Sequence, residues 1–404
     1  MTESTEVIVV GGGMVGASLA CLLGRAGVDV AVVEEHPPTT TDPADATPDL
    51  RVSSVNLASS ELFQRAGAWD GMTRRRVCPF RGVRARDMSG AETRFDAREI
   101  GHDWFGWFVE NQVILAGLHE ALAGIPNVRW IAPARPAALT ADATGASLTL
   151  NNGTEVEAEL VIGADGARST VRQLAEIDYT STDYGLRALV VNVATELPQQ
   201  DVTWQRFTPS GPQAFLPLPG HRASLVWYND PDTVSLLESL DDETLAGEIV
   251  DAFPEELGGI TAVLGRASFP IRRQHATSYT SSRVALVGDA AHAIHPLVGQ
   301  GLNLGLQGVD TLVDTLLHAR ELGRDPGTAA VLADYEHRHR PRALAMMVAT
   351  DSFHRLFTRE PGPLTRIASG VLRLADKVPV GRRQVMRHAM GLPLWSDGRG
   401  SARG

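Results

Sequence analysis

Glu6-Val7-Ile8-Val9-Val10-Gly11-Gly12-Gly13-Met14-Val15-Gly16 is the stretch whose reading decides the fold. Its first half is a β-branched run that suits a short buried strand, and its second half fits GxGxxG. Leu19, Leu22, Leu23 and Ala26 follow at helical spacing, and Gly27 supplies a stop. A second strand, Val28 to Val33, ends on Glu34-Glu35. Strand, glycine turn, helix, strand and acid in this order read as a dinucleotide-binding unit. Gly11, Gly13 and Gly16 let the backbone turn tightly against a pyrophosphate. Met14 and Val15 complete the turn, and the helix start directs amides at the phosphates. Glu34 stands 18 positions after Gly16, where a carboxylate can accept from ribose hydroxyls.

Working outward, a second run lies far along the chain: Gly288-Asp289-Ala290-Ala291-His292, then Pro296, then Gly299-Gln300-Gly301-Leu302-Asn303-Leu304-Gly305. Arg283 to Val287 reads as an apolar strand that delivers Asp289 at its end. Gly299 to Gly305 opens another helix, with Leu302, Leu306, Val309, Leu312 and Leu316 roughly on one stripe. A second acid and a second helix N-terminus exceed what a nicotinamide needs. They suit FAD, whose ribityl chain and isoalloxazine require partners of their own.

The run GDAAHxxxPxxGQGxN resembles the second FAD fingerprint of the aromatic-ring flavoprotein monooxygenases. A middle motif of that family is also present, Gly163-Ala164-Asp165-Gly166-Ala167-Arg168-Ser169 followed by Val171-Arg172. Five further stretches resemble the ubiquinone-biosynthesis hydroxylase branch. They are Arg51-Val52-Ser53-Ser54-Val55-Asn56, Trp107-Phe108-Val109-Glu110-Asn111, Arg206-Phe207 with Leu216-Pro217-Leu218, Tyr335-Glu336, and the tail Arg382 to Gly391. The similarity spans nearly the whole chain and departs from the branch at Gln112, where arginine is common, and at Arg187, where glutamine is common.

The resemblance implies an α/β fold: a Rossmann-like FAD-binding domain interleaved with a mainly β substrate domain, plus a C-terminal helical region. The expected bounds are 1–80, 100–185 and 271–320 for the FAD-binding domain, 81–99 and 186–270 for the substrate sheet, and 321–404 for the helical region. The implied activity is hydroxylation of the ring of a polyprenylated phenol or benzoquinol, with O2 as co-substrate, NAD(P)H as reductant and a flavin hydroperoxide as oxygen donor. Roles follow by resemblance. Arg51 lies near the cofactor phosphates and meets NAD(P)H, Gln112 contacts the ribityl or ring region, and Asp165 and Arg168 belong to a motif whose family roles are FAD binding and nicotinamide binding. Asp289 accepts from a ribityl hydroxyl, while Pro296, Gly299, Gln300, Gly301, Leu302 and Asn303 line the isoalloxazine. Amides at that helix start can stabilise negative charge on reduced flavin. His292 and His295 are candidates for a base that deprotonates a phenol; the competing reading makes His292 a structural residue that turns the chain after Asp289.

Composition sets the remaining bounds. At 404 residues the chain can bury a large core across two interleaved domains. A net charge of −11 argues against nucleic acid as a partner. No apolar run is long enough to suggest a transmembrane helix, and the N-terminus enters the first strand without a signal-like segment. Two cysteines, Cys21 and Cys78, with no CxxC and no metal-ligand cluster, fit a reduced, cytoplasmic setting. His36 to Leu50 reads as a surface loop, Thr233 to Phe253 as a helix, and the chain after Leu317 as helical to near Gly391. In the basic C-terminal stretch, Leu364, Ile367, Val371, Leu372, Leu374 and Val378 recur at roughly helical spacing. That stretch is a candidate for peripheral contact with the inner membrane face or for a partner protein, against the reading of an ordinary packed helix. Self-association or a ubiquinone-synthesis assembly is expected from the resemblance. Three competing readings are a monooxygenase of small phenolic or polyketide-like aromatics, a flavin halogenase or prenyl reductase, and a non-catalytic flavoprotein scaffold. Lys377, the single lysine, lies far from the flavin motifs and disfavours the halogenase.

Overall fold

The computed structural model describes residues 2–38, 42–43, 48–88, 90–253, 258–294, 299–357 and 379–392. The chain opens with β1 (Thr2–Val10), α1 (Met14–Arg25) and β2 (Val30–Val33), then β3 (Val52–Asn56), α2 (Leu57–Arg65) and α3 (Trp69–Thr73). β4 (Val77–Phe80), β5 (Gly82–Asp87), β6 (Glu92–Asp96) and β7 (Gly106–Glu110) precede α4 (Asn111–Ala123). Next come β8 (Val128–Ile131), β9 (Pro136–Ala141), β10 (Ala146–Leu150), β11 (Glu155–Gly163) and α5 (Thr170–Leu174). β12 (Tyr179–Thr195), β13 (Val202–Thr208), β14 (Gly211–Leu218) and β15 (Arg222–Asn229) lead to α6 (Pro231–Ser239), α7 (Asp242–Ala252) and β16 (Ile260–Ala276). The last strands are β17 (Thr280–Ser281), β18 (Val284–Leu286) and β19 (His292–Ala293), followed by α8 (Gly301–Glu321), α9 (Ala329–Phe357) and α10 (Pro379–Ala389).

One sheet runs β17-β18-β11-β1-β2-β8, with β10 and β9 added beside β11. Its centre is parallel, and the buried runs Val7–Val10, Val30–Val33 and Leu160–Ile162 are apolar on both faces, as a covered parallel sheet requires. The register matters most for function. Val10 sits opposite both Val33 and Gly163, and Gly163 sits opposite Leu286. Three bonds carry that alignment past the strand ends: Gly11 N donates to Val33 O (2.8 Å), Ala164 N to Val10 O (2.8 Å) and Val287 N to Gly163 O (2.9 Å). All three glycine-and-acid motifs therefore leave the same carboxyl edge, although they lie at residues 11, 163 and 288. In open α/β sheets that edge is where ligands bind.

A second sheet runs β19-β16-β12-β15-β14-β13-β5-β6, antiparallel except for β13 with β5. Side chains alternate across it. Leu189, Val191, Phe215, Leu225 and Trp227 pack under α6 and α7 with Val234, Leu237, Leu245 and Ile249. The opposite face turns toward a small sheet, β3-β7-β4. β12 and β16 are long and cross the expected junctions near 185 and 270. The helix expected over Thr233–Phe253 is two, because Asp230 and Asp241 each cap a new N-terminus through Thr233 N and Thr244 N. The helical stretch expected after Leu317 breaks at Gly323, whose φ is +65°, before α9 begins. The apolar C-terminal positions from Leu364 to Val378 lie outside the described residues.

Candidate active site

The early turn is built by close backbone approach. Gly11 has φ +103°, and a Cβ there would stand 2.5 Å from Ala164 O; a Cβ on Gly16 would stand 1.9 Å from Gly11 O. Only glycine lets α1 start this close to β1 and β11. Gly13 is the N-cap, offers no side-chain acceptor, and has open space where a Cβ would be. The amides of Met14, Val15 and Gly16 stand in the first turn, where the helix has no acceptors of its own. Glu34 closes the turn: its Oε2 accepts from Gly12 N at 2.6 Å and its Oε1 from His36 N at 3.0 Å. A carboxylate has lone pairs beyond these two bonds, so it can still accept from a hydroxyl.

The middle and late motifs meet beside it. Asp165 Oδ2 caps α5 through Thr170 N and Val171 N, while its buried Oδ1 makes no hydrogen bond with a described residue. Asp289 leaves β18 and lines the large cavity described below. Its surface is accessible from inside that cavity, yet enough protein surrounds it that desolvation pushes its carboxyl up to about 6. α8 then begins with Gln300 as N-cap, again with no side-chain cap, and with open space beside Gly301.

The late motif borders a cavity of about 510 Å³. Its roof is the free face of the second sheet, including Val190, Ser224, Val226, Leu216 and Gln205. Phe80, Phe105 and Phe108 form much of the opposite wall, and Asp289, Gly299 and Gln300 bring the late motif to its border. This is a mostly apolar chamber with a few polar groups, of the size that accepts a small organic ligand. Arg51 lines it too, with its guanidinium carbon 5.1 Å from the Phe269 ring centroid, so it bridges β3 and β16.

Two uncapped helix starts, two acids and an orphaned Asp165 oxygen along one sheet edge fit a long cofactor with a pyrophosphate and a hydroxylated chain. A family model described as FAD binding domain matches residues 4–350. Escherichia coli (strain K12) 3-demethoxyubiquinol 3-hydroxylase is 39% identical, with 96% of this chain and 99% of that protein covered. This chain belongs to the FAD-dependent aromatic-ring monooxygenases, in their ubiquinone-hydroxylase branch. The ubiquinone hydroxylase UbiL of Rhodospirillum rubrum is 38% identical over 96% of this chain and 89% of its own length. Human ubiquinone biosynthesis monooxygenase COQ6 is 31% identical, over 95% and 92%. Among solved structures, p-nitrophenol 4-monooxygenase PnpA from Pseudomonas putida DLL-E4 superposes with a TM-score of 0.77 at 21% identity, covering 96% of this chain and 98% of its own. PqsL from Pseudomonas aeruginosa, a probable FAD-dependent monooxygenase, gives 0.75 at 24%, covering 91% and 99%. These two likenesses establish the fold.

Within this FAD monooxygenase several expected residues stand differently from expectation. Asn303 is fully buried, and its side chain is occupied by protein: Oδ1 accepts from Asn56 N (3.1 Å) and Ser59 Oγ (2.7 Å), and Nδ2 donates to Ser54 O (2.9 Å). Leu302 packs against the main core, so these two positions offer the site backbone amides rather than side chains. Gln112 is exposed and its amide donates to Asp49 Oδ2 (3.3 Å); Asn111 is the residue that lines the cavity. Arg168 is exposed. Arg172 is the buried arginine of the middle motif, donating to Ala290 O (2.8 Å) and Ala167 O (2.9 Å) and lying 4.2 Å from the Tyr179 ring centroid. It ties the middle motif to the late one. His292 is not a base poised at the chamber. It is buried against His339, with 2.8 Å between their Nε2 atoms, so one ring donates and the other accepts. Burial pushes both imidazoles down, that of His339 to about 4, and keeps the pair neutral. His295 and Pro296 lie outside the described residues.

Proposed function

We propose that this chain hydroxylates the aromatic ring of a polyprenylated phenol or benzoquinol in ubiquinone biosynthesis, using FAD, O2 and electrons from NAD(P)H. The observation that carries the reading is the apolar chamber bordered by Asp289, Gly299 and Gln300. The full-length similarity to ubiquinone hydroxylases supports it. FAD, when bound, supplies the oxygen-activating redox chemistry; the chain supplies binding, orientation and dryness.

In this reading Gly11, Gly13, Met14, Val15 and Gly16 hold the pyrophosphate on α1, and Glu34 holds the adenosine ribose. Asp289 accepts from a ribityl hydroxyl. Amides at the start of α8, from Gly301 to Asn303, face the ring system with Gly299 and Gln300 and favour negative charge there. Arg51 sits between phosphates and chamber, and Asp165 with Arg172 keeps the middle and late motifs in register. Gln112 and Arg168 are exposed and stand ready for the reductant. The parallel sheet and the β3-β7-β4 sheet form the FAD-binding part, and the second sheet is the substrate part.

A polyprenylated ring is drawn from a lipid phase, so the same reading puts the protein at a membrane surface when it loads substrate. No described helix is long and apolar enough to cross a membrane. Flotation with anionic liposomes tests the contact, and absence of binding removes it. The function itself is tested by mass spectrometry of quinone lipids from the host lacking this gene. Accumulation of a polyprenyl precursor one oxygen short is the expected result. An unaltered quinone profile would sink the ubiquinone reading.

A further inference from the structure

Among the described residues, the chamber roof carries one side-chain amide, Gln205 on β13. Side chains alternate along β13: Trp204 packs in the core under α6 and α7, so Thr203 and Gln205 face the chamber that both residues line. The register sets Gln205 opposite Ala214 on β14 and Ala85 on β5. Both neighbours are alanines, so neither stands over the amide. Continuing the same row, Ala214 pairs with Val226 and Val226 with Val190, both apolar and both lining the chamber. β13 is hydrogen-bonded on both sides, and Gln205 is only half-buried, so the surface it keeps belongs to its side chain. The amide, at the end of that side chain, reaches furthest from the sheet. The roof's hydroxyls do not compete with it: Thr203 Oγ1 donates to Phe215 O (2.6 Å), and Ser224 is fully buried. Gln205 is held by a contact within the protein. An amide has two donor hydrogens and an oxygen with two lone pairs, so capacity remains for a ligand.

We propose that the Gln205 amide is the roof subsite that holds a hydroxyl of the aromatic substrate and selects hydroxylated rings over hydrocarbon ones. The inference rests on the aromatic-substrate reading above. A phenol that enters an apolar chamber gives up its hydrogen bonds to water and needs a partner in exchange. The amide oxygen accepts from the phenolic O–H, and the amide N–H donates to the phenolic oxygen, so Gln205 meets the hydroxyl in either sense. A site built to pair with a substrate hydroxyl discriminates against analogues that lack it. The same bond distinguishes orientations of the ring. Phe80, Phe105 and Phe108 offer an apolar wall that accepts any edge, whereas a hydroxyl turned away from Gln205 leaves the bond unmade.

The test uses the FAD-loaded protein and two probes of similar shape, 2-allylphenol and allylbenzene, each titrated while flavin absorbance is followed. In wild type the phenol should bind at least as tightly as the hydrocarbon, because its hydroxyl is paired. Gln205→Met keeps the length of the side chain and removes the amide. It should weaken the phenol about tenfold relative to allylbenzene. Gln205→Glu, which keeps an oxygen acceptor, should hold most of the wild-type ratio. A merely structural role for Gln205 would shift both affinities together and leave the ratio alone; that result overturns the subsite. A wild-type phenol that binds about tenfold more weakly than allylbenzene overturns it without any variant, since its hydroxyl is then unpaired. If neither probe perturbs the wild-type flavin, the aromatic-substrate reading falls and takes the subsite with it.

Discussion

The N-termini of α1 and α8 serve the same electrostatic purpose and are constructed in opposite ways. Neither has a side-chain cap, so both leave first-turn amides for a ligand. α1 is positioned by absence of side chains, Gly11 and Gly16 lying against the backbone just past the ends of β11 and β1 at distances no Cβ tolerates. α8 is positioned by a buried polar rivet, Asn303, which joins it to β3 and α2 through Ser54, Asn56 and Ser59. The first arrangement is rigid because nothing else fits. The second is rigid because several buried groups would lose their partners if it moved, and it therefore depends on distant parts of the chain.

The largest effect should come from breaking the first arrangement. Gly16→Ala forces a Cβ against Gly11 O, and overpacking of backbone against backbone should cost about 4 kcal/mol or more. FAD content after gel filtration should fall to background, with a lower Tm in the apoprotein. A variant that keeps its flavin would show that the turn is not held by close approach. Breaking the second arrangement should cost somewhat less. Asn303→Ala leaves Asn56 N and Ser54 O without a partner and should destabilise by about 3 kcal/mol. Gln300→Ala, at the uncapped N-cap, should leave denaturant midpoints nearly unchanged.

The support behind α8 should be sensitive to acid. His339 titrates at about 4 in the fold against an ordinary 6.5, so the unfolded chain takes up the proton more readily. Its contribution is complete above pH 6.5 and is lost as pH falls toward 4. It should amount to about 2 kcal/mol between pH 7.5 and 5, read as a falling Tm. His339→Gln should flatten that window. Asp289 gives a smaller effect of related kind. Its carboxyl is raised to about 6, and a hydroxyl donor prefers the ionised form. FAD affinity of the apoprotein should therefore drop about tenfold from pH 7 to 5. Asp289→Asn should bind more weakly at pH 7 and show no such slope. The smallest change belongs to Glu34→Gln, since an amide oxygen can still accept from Gly12 N; a threefold loss or less in FAD affinity, roughly, is expected by fluorescence titration.

The two helix starts also mark how far sequence carries. The α1 turn is a local object: strand, glycines, helix and acid lie within 34 residues, and local steric rules suffice to read them. The α8 start was legible as a motif, but the direction of its side chains was not. Whether Asn303 faces a ligand or Asn56 depends on a partner 247 positions away. The middle motif shows the same limit. Arg168 and Arg172 both belong to it, and only the packing of α5 against Ala290 decides which is buried. The division of the 233–253 helix could have been found, because Asp-x-x-Thr occurs twice, at Asp230 and Asp241. The chamber roof could not. Gln205 comes to lie between Ala85 and Ala214 only through the pairing of β13 with β5 and β14.

One further bond links these observations to how the protein is made. Asn56, which anchors Asn303, also donates through Nδ2 to Ala389 O at 3.2 Å, and Ala58 N donates to Met390 O at 3.4 Å. Ala389 also lines the chamber. A ribosome must therefore have passed codon 389 before the late helix start gains its full set of neighbours, even though the pyrophosphate turn emerges in the first few dozen residues. A nascent chain could grip the adenine-bearing half of its cofactor early, but it can close around the reactive half only after synthesis of the tail. Premature termination near the C-terminus would yield a protein with its first fingerprint intact and an incomplete chamber.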